Sequence, residues 1–346
     1  MRVLLTGIDG YLGSLMAPVL AARGHEVVGL DAGYYRDGQL YDPATRTFAT
    51  LTKDIRHVTA ADLRGFDAVV HLAELSNDPL GQHRPDITHA INGVGSSELA
   101  RLSKEAGVGR FIYSSSCSVY GRGTGEWKTE DSTTEPLTAY AACKLSTEAA
   151  LARLADETFS PTCLRNATAY GASPRMRFDI VLNNFAGLAW TTGRLVMTSD
   201  GTPWRPLVHA LDIAEAFACT LDAPVAAVHN QIFNVGSDEE NYRVRDIAEI
   251  VASAFPGCET AFGPPSGDTR SYRVSFQKIR EALPAFECRW TAEKGARELR
   301  DVFTRIALTP EVFGFRAFTR LAQLEHLLAT GRLDEQFFWV ADTAAA

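Results

Sequence analysis

Residues 1–31 contain a strand, a glycine-rich turn, a helix and a second strand in that order, and this order leaves little choice of fold. Met1-Arg-Val-Leu-Leu-Thr6 is an apolar run of β-formers, followed by Gly7-Ile-Asp-Gly10-Tyr11-Leu12-Gly13 and a helical stretch from Ser14 to about Arg23. After Gly24, the run His25–Leu30 reads as a second strand ending on Asp31. Such an arrangement aims backbone N–H groups and a helix N-terminus at a pyrophosphate. The Gly-x-x-Gly-x-x-Gly spacing is one residue wider at its first gap than the usual dinucleotide fingerprint. Gly7, Gly10, Tyr11, Leu12 and Gly13 are therefore candidate cofactor contacts. Asp31 can accept hydrogen bonds from ribose hydroxyls and would repel a 2′-phosphate, which favours NAD over NADP, while Arg36 tempers that preference.

Strands and helices go on alternating through the first half, the pattern of a doubly wound parallel α/β sheet of the Rossmann type. Further strands are expected at Phe48–Thr52, Phe66–Ala73, Arg110–Ser115 and Pro161–Arg165, with a helix from about His89 to Ala106 ending at Gly107. Ligands of open α/β sheets bind beyond the carboxyl ends of the strands, so Gly7, Asp31, Asp54, Ala73 and Ser116 should share one crevice. From about Gly171 the rhythm loosens into a smaller, mixed substrate lobe. The expected division is residues 1–170 for the dinucleotide domain, with the sheet re-entered near 207–236, and residues 171–206 and 237–346 for the lobe. Pro310 to Gly331 reads as one amphipathic helix with Phe318, Leu321, Leu324 and Leu328 on one side, a stripe more often used in core packing than in an oligomer contact.

The 346 residues, 46% of them hydrophobic, are enough for a large core, and a net charge of −8 argues against nucleic acid or an anionic membrane as partner. The six cysteines lack Cys-x-x-Cys spacing and the eight histidines show no ligand spacing, so reduced thiols and no metal are expected. No apolar run approaches the roughly 18 residues that span a membrane, and no signal peptide is evident, so a cytoplasmic protein is expected.

Tyr140 and Lys144 stand at i and i+4, on one face of a helix. Alone this is a chance pair; behind a dinucleotide turn and the strand-end serines it becomes a candidate proton relay. A free tyrosine titrates near pH ~10, and an ammonium about 4 Å away contributes on the order of 4 kcal/mol at an effective dielectric of ~20, a shift of roughly 3 units.

Together these motifs resemble the extended short-chain dehydrogenase/reductase superfamily, and within it the NAD-dependent nucleotide-sugar epimerases and dehydratases. The resemblance covers roughly residues 1 to 285 and rests on the glycine turn, Asp54-Ile55-Arg56, His71-Leu72-Ala73, Ser114 to Gly121, Tyr140-x-x-x-Lys144 and Arg205-Pro-Leu-Val-His209-x-x-Asp212. It implies that Asp54 and Ile55 flank the adenine, that Leu72 and Ala73 line the pyrophosphate, and that Asn92 lies close to the cofactor. It further implies Tyr140 as proton-transferring base or acid, Lys144 as the group that lowers its pKa and binds the nicotinamide ribose, and Ser116 as the residue orienting the reacting hydroxyl. For the substrate it points to Asn184, Arg205 and Arg270 around a diphosphate.

Three positions depart from the family pattern, one of them Thr168, a candidate substrate contact where many of the epimerases carry an asparagine, which leaves the sugar open. Ser118 stands where the dehydratases and decarboxylases usually carry a glutamate, which demotes elimination and loss of carbon dioxide. Glu74 replaces a small residue, so its carboxylate would either accept hydrogen bonds from the sugar or turn to solvent. Cys117, one position from the cysteine of the C3/C5 epimerases, reads as a packed thiol. The expected activity is that of an NAD-dependent nucleotide-sugar epimerase or oxidoreductase that transiently oxidises a sugar hydroxyl at C4. The rivals are a ketoreductase or dehydrogenase of a non-nucleotide alcohol and, less favoured, a non-catalytic dinucleotide sensor. A nucleotide-diphosphate sugar and a second copy of the chain, in a homodimer, are the expected partners.

Overall fold

The structure, a computed structural model, describes residues 1–42, 47–76, 84–265 and 271–340. Its centre is a sheet of seven strands: β1 (Arg2–Thr6), β2 (Glu26–Asp31), β3 (Thr50–Thr52), β4 (Ala68–His71), β5 (Arg110–Ser116), Ser160–Asn166 and Gln231–Val235. All pairings are parallel. Val3, Leu4 and Leu5 of β1, and all of Ala68–His71, are buried, as both faces of a parallel sheet require. Strand order runs Gln231–Val235, Ser160–Asn166, β5, β4, β1, β2, β3, so the chain reverses direction across the sheet between β1 and β4. At that switch point a crevice opens beyond the carboxyl ends.

Helices cover both faces. On one, α1 (Gly13–Ala22) and the Ala210–Asp222 helix bury Met16, Leu20, Phe217 and Leu221. On the other, Leu99 and Ala100 of the Ser96–Glu105 helix and Leu151 of the Ala139–Leu154 helix join Leu63 and Phe111. The Ala139–Leu154 helix is held to the sheet by Glu148, which accepts two bonds from Arg165 at 2.9 and 2.7 Å and one from Ser115 Oγ at 2.5 Å. The smaller lobe has a three-stranded sheet of Thr168–Tyr170, Trp204–His209 and Asn241–Arg243, backed by helices Val181–Thr192, Val244–Ala254 and Ala292–Ile306. Segment 207–236 thus enters the large sheet through Gln231–Val235, while Trp204–His209 pairs within the lobe.

Two helical expectations change. The helix expected from His89 begins as a π-helical turn, His89–Gly95, before turning α-helical at Ser96–Glu105. Asn92 fixes that turn, since its side chain both donates to and accepts from the Leu75 backbone at 2.9 Å while its carbonyl accepts from Thr147 Oγ. The stretch Pro310–Gly331 is not one helix but Pro310–Phe313, a 3₁₀ turn at Arg316–Phe318, and Arg320–Ala329. Gly314 ends the first piece, and Thr319 stands in extended backbone between the second and third. Phe318 therefore packs on Phe178 in the lobe, whereas Leu321, Leu324 and Leu328 pack with Tyr34 and Phe337 beside the large sheet.

Residues after the last helix fold back over β2. Tyr34 donates to Phe337 O at 2.6 Å, Trp339 Nε1 to Ala32 O at 2.6 Å, and Arg56 to Gln336 O at 2.7 Å. The Phe338 ring stacks on His57 at 4.7 Å and lies under the Arg56 guanidinium at 3.8 Å. All six cysteines are free and four are buried; Cys117 donates to Arg165 O, and burial pushes its thiol far above the ordinary range. Among the described residues no helix is long and apolar enough to cross a membrane, and no three His, Cys, Asp or Glu side chains gather as for a metal.

Candidate active site

The crevice at the switch point is a cavity of about 430 Å³. One wall is the glycine turn. Gly7 adopts φ +76°, a left-handed conformation that favours glycine, and packs on the Leu72–Ala73 backbone. A Cβ at Gly13 would lie 2.1 Å from Gly7 O, so only glycine lets α1 start this close to β1. Thr6 Oγ accepts from the Leu72 and Ala73 amides at 3.2 Å, drawing together the ends of β1 and β4. Gly7, Gly10, Tyr11, Leu12, Gly13, Leu72 and Ala73 all reach the cavity.

Asp31, Asp54 and Ile55 line its far end. Asp31 accepts from the Gly33 amide at 2.7 Å and the Asp9 amide at 3.0 Å. Burial raises its carboxyl to about 6, with the Asp9 charge adding and the two amides opposing. Asp54 accepts from the Arg56 backbone and guanidinium and from Tyr34 OH at 3.1 Å. It is held below the usual carboxylate range: burial opposes this, but Arg56 outweighs burial.

The other end carries the reactive groups. Ser116 ends β5, and its Oγ accepts from the Ser118 amide at 3.1 Å while reaching the cavity, so it caps the following 3₁₀ turn as well. Thr138 caps the Ala139–Leu154 helix through a 3.2 Å bond from the Ala141 amide, which sets Tyr140 and Lys144 over the same crevice. Lys144 Nζ lies 5.3 Å from the Tyr140 ring centroid and donates to Ser114 O.

Glu74 reaches the cavity wall, and of the two expected alternatives its carboxylate does not take the turn to solvent. It pairs with Lys144 Nζ at 2.5 Å, with 2% of the Glu74 side chain and 5% of the Lys144 side chain exposed. Glu74 Oε1 accepts from Tyr113 OH at 2.6 Å and from Ser96 Oγ at 3.1 Å. Ser96 in turn meets His71 Nε2 at 2.8 Å, and His71 Nδ1 meets Thr6 Oγ at 2.7 Å. A buried polar chain thus runs from Thr6 behind the glycine turn to the lysine. Burial opposes the Lys144 charge, but Glu74 and Tyr140 outweigh burial and hold its pKa above the ordinary value. Burial, with the Lys144 charge, depresses His71 to about 3, so its ring is neutral.

Of the remaining candidates, Ser118, Thr168 and Arg205 line the cavity. Asn92 lies behind the wall, fully buried, because its amide is used to hold Leu75. Asn184 is also off the wall and donates to Phe178 O at 3.0 Å. Arg270 lies outside the described residues. Two arginines on the wall were not singled out as site residues. Arg177 pairs with Asp179 at 2.8 Å and donates to Ser76 O. Arg320, 3% exposed, lies 4.0 Å over the Tyr35 ring, and burial together with the Arg177 charge brings it down to about 10. Arg320 belongs to no motif and had no local signal.

Residues 3–236 match the NAD dependent epimerase/dehydratase family. A UDP-glucose 4-epimerase of Corynebacterium glutamicum is 29% identical over 315 residues, covering 85% of this chain and 91% of that protein. A UDP-glucose 4-epimerase of Mycolicibacterium smegmatis is 30% identical over 298 residues, covering 82% and 92%. Among solved structures, MoeE5 in complex with UDP-glucuronic acid and NAD superposes with a TM-score of 0.75 at 26% identity, covering 89% of this chain and all of that one.

Proposed function

The chain belongs to the NAD dependent epimerase/dehydratase family, and from that premise we propose that it is a nucleotide-sugar 4-epimerase in which Tyr140 is the acid/base. The observation that carries this reading is the convergence of Ser116, Tyr140 and Lys144 on the same cavity as the glycine turn and Asp31. The cradle suits NAD: its turn approaches Leu72–Ala73 as closely as glycine permits, and an acid stands at the end of β2. Bound there, NAD supplies the hydride acceptor for the sugar C4 and the donor for its return. The protein's own groups do the rest. Tyr140 takes the C4 hydroxyl proton and gives it back, Ser116 orients that hydroxyl, and Lys144 stabilises the phenolate and holds a cofactor ribose. Thr168 and Arg205 face the sugar nucleotide. Ser118, a hydroxyl where eliminating relatives carry a carboxylate, leaves redox chemistry at the carbinol without a group to expel water. The named activities of both curated relatives support the same substrate class.

The test is incubation of the purified protein with UDP-glucose, UDP-galactose and their N-acetylated, GDP and dTDP counterparts. Interconversion of a 4-epimer pair is expected; neither binding nor turnover of any nucleotide sugar would sink the proposal. For the cofactor, Asp31→Ala is expected to weaken NAD about tenfold or more, because a hydrogen bond to a charged group contributes about 1.5–3 kcal/mol. NADP should lose less, and an unchanged ratio of the two Kd values would contradict the ribose role. A homodimer is part of the same proposal, and a monomeric mass in sedimentation equilibrium would remove it.

A further inference from the structure

Resting on the acid/base role of Tyr140, we propose that Glu74 sets the working pH of that tyrosine by neutralising part of the Lys144 charge that acts on it. A lysine beside a catalytic phenol lowers the phenol's pKa in proportion to the net positive charge it presents. Here the ammonium is in contact with a carboxylate at 2.5 Å inside the protein. The phenol therefore meets a dipole in place of a bare cation.

The pair is built, not incidental. Tyr113 and Ser96 both donate to Glu74 Oε1, which leaves Oε2 turned to the ammonium. Burial, with the Glu74 charge, pushes Tyr113 far above its ordinary value, so it remains a donor throughout the working range. The same geometry ties down Lys144, which donates to Ser114 O while its charge rests against Glu74 Oε2. Glu74 is thus a positioning residue acting through Lys144.

Among the described residues, the charged groups packed closest to this pair are balanced or neutral. On its own helix, Glu148 is paired with Arg165 at 2.7 Å, and burial keeps Cys143, beside His89, protonated. On β4, His71 is uncharged, and on β5, Tyr113 is protonated. Across the cavity, Arg177 is paired with Asp179 at 2.8 Å. Replacing Glu74 by a neutral residue consequently alters the field at Tyr140 chiefly through Lys144, and an uncompensated buried charge nearby moves a titration by on the order of one unit.

The experiment is the pH dependence of turnover for the NAD-loaded wild type and Glu74→Gln, assayed on whichever nucleotide sugar the wild type converts. The limb along which rate rises as Tyr140 ionises should shift to lower pH by about one unit in Glu74→Gln. Glu74→Asp, which withdraws the carboxylate from Nζ but keeps its charge, should shift it the same way by less, and it decides the matter if Glu74→Gln does not fold. Tyrosinate absorbance titrated in both proteins, with Tyr140→Phe as blank, should move in parallel. A limb that stays put or moves to higher pH in an active variant overturns the proposal for Glu74 and leaves the function intact. Activity retained in Tyr140→Phe would instead overturn the function itself.

Discussion

Tyr140→Phe is expected to lower turnover about 10²–10⁴-fold, the usual contribution of a positioned proton-transfer group, while NAD binding stays near the wild-type level. The substitution removes one oxygen and keeps the ring. Tyr140 is the second residue of its helix, whose start is fixed by the Thr138 cap and not by the phenol. The proposed cofactor contacts along the glycine turn and β2 come from other elements, so their geometry should survive. Initial rates on the active sugar, together with nucleotide released on denaturing the protein, separate the two effects. Loss of NAD as well as turnover would make Tyr140 a binding group; retained turnover would dismiss it from the chemistry.

Lys144→Met is expected to damage both stability and activity. The variant strands a carboxylate that is 2% exposed against an apolar side chain. Removing one member of a buried ion pair costs about 3–5 kcal/mol. Lys144→Met combined with Glu74→Gln should recover most of the lost stability, because a paired charge is replaced by a neutral set of similar volume. It should not recover turnover, for which the proposed mechanism requires the cation beside Tyr140. Urea midpoints for the two single variants and the double variant form a cycle that measures the coupling. Simple additivity would mean that the pair contributes nothing as a pair.

What the sequence made legible was local. The glycine turn and Asp31 lie within one strand–helix–strand unit. Tyr140 and Lys144 are one helical turn apart, and Ser116 ends a strand whose apolar run announces it. These spacings belong to elements that fix their own geometry. The fate of Glu74 was not legible, because its contact with Lys144 depends on β4 lying beside β5 and on the helix that crosses them. Arg320 was missed for the same reason, as its place on the wall follows from the course of residues after 285. Asn92 has the residue type that the resemblance implies beside a cofactor, but its amide is spent on Leu75, and burial of that kind leaves no periodic trace. In Pro310–Gly331 the apolar spacing is real, yet the pattern does not register the break at Gly314 and Thr319, which sends Phe318 to a different core from Leu324.

The fold-back of residues 336–339 over β2 has a consequence for how such a chain comes into being. The bond from Tyr34 to Phe337 O joins residues 303 positions apart, and Trp339 closes on Ala32 beside it. During synthesis the glycine turn and first strands emerge early, but the wall that includes Tyr34 and Arg320 stays open until positions as late as 339 have left the ribosome. Closure over so long a loop is a slow step in forming native contacts. The nascent chain therefore carries its glycine turn long before the contacts that back the Tyr34 side of the cavity can form.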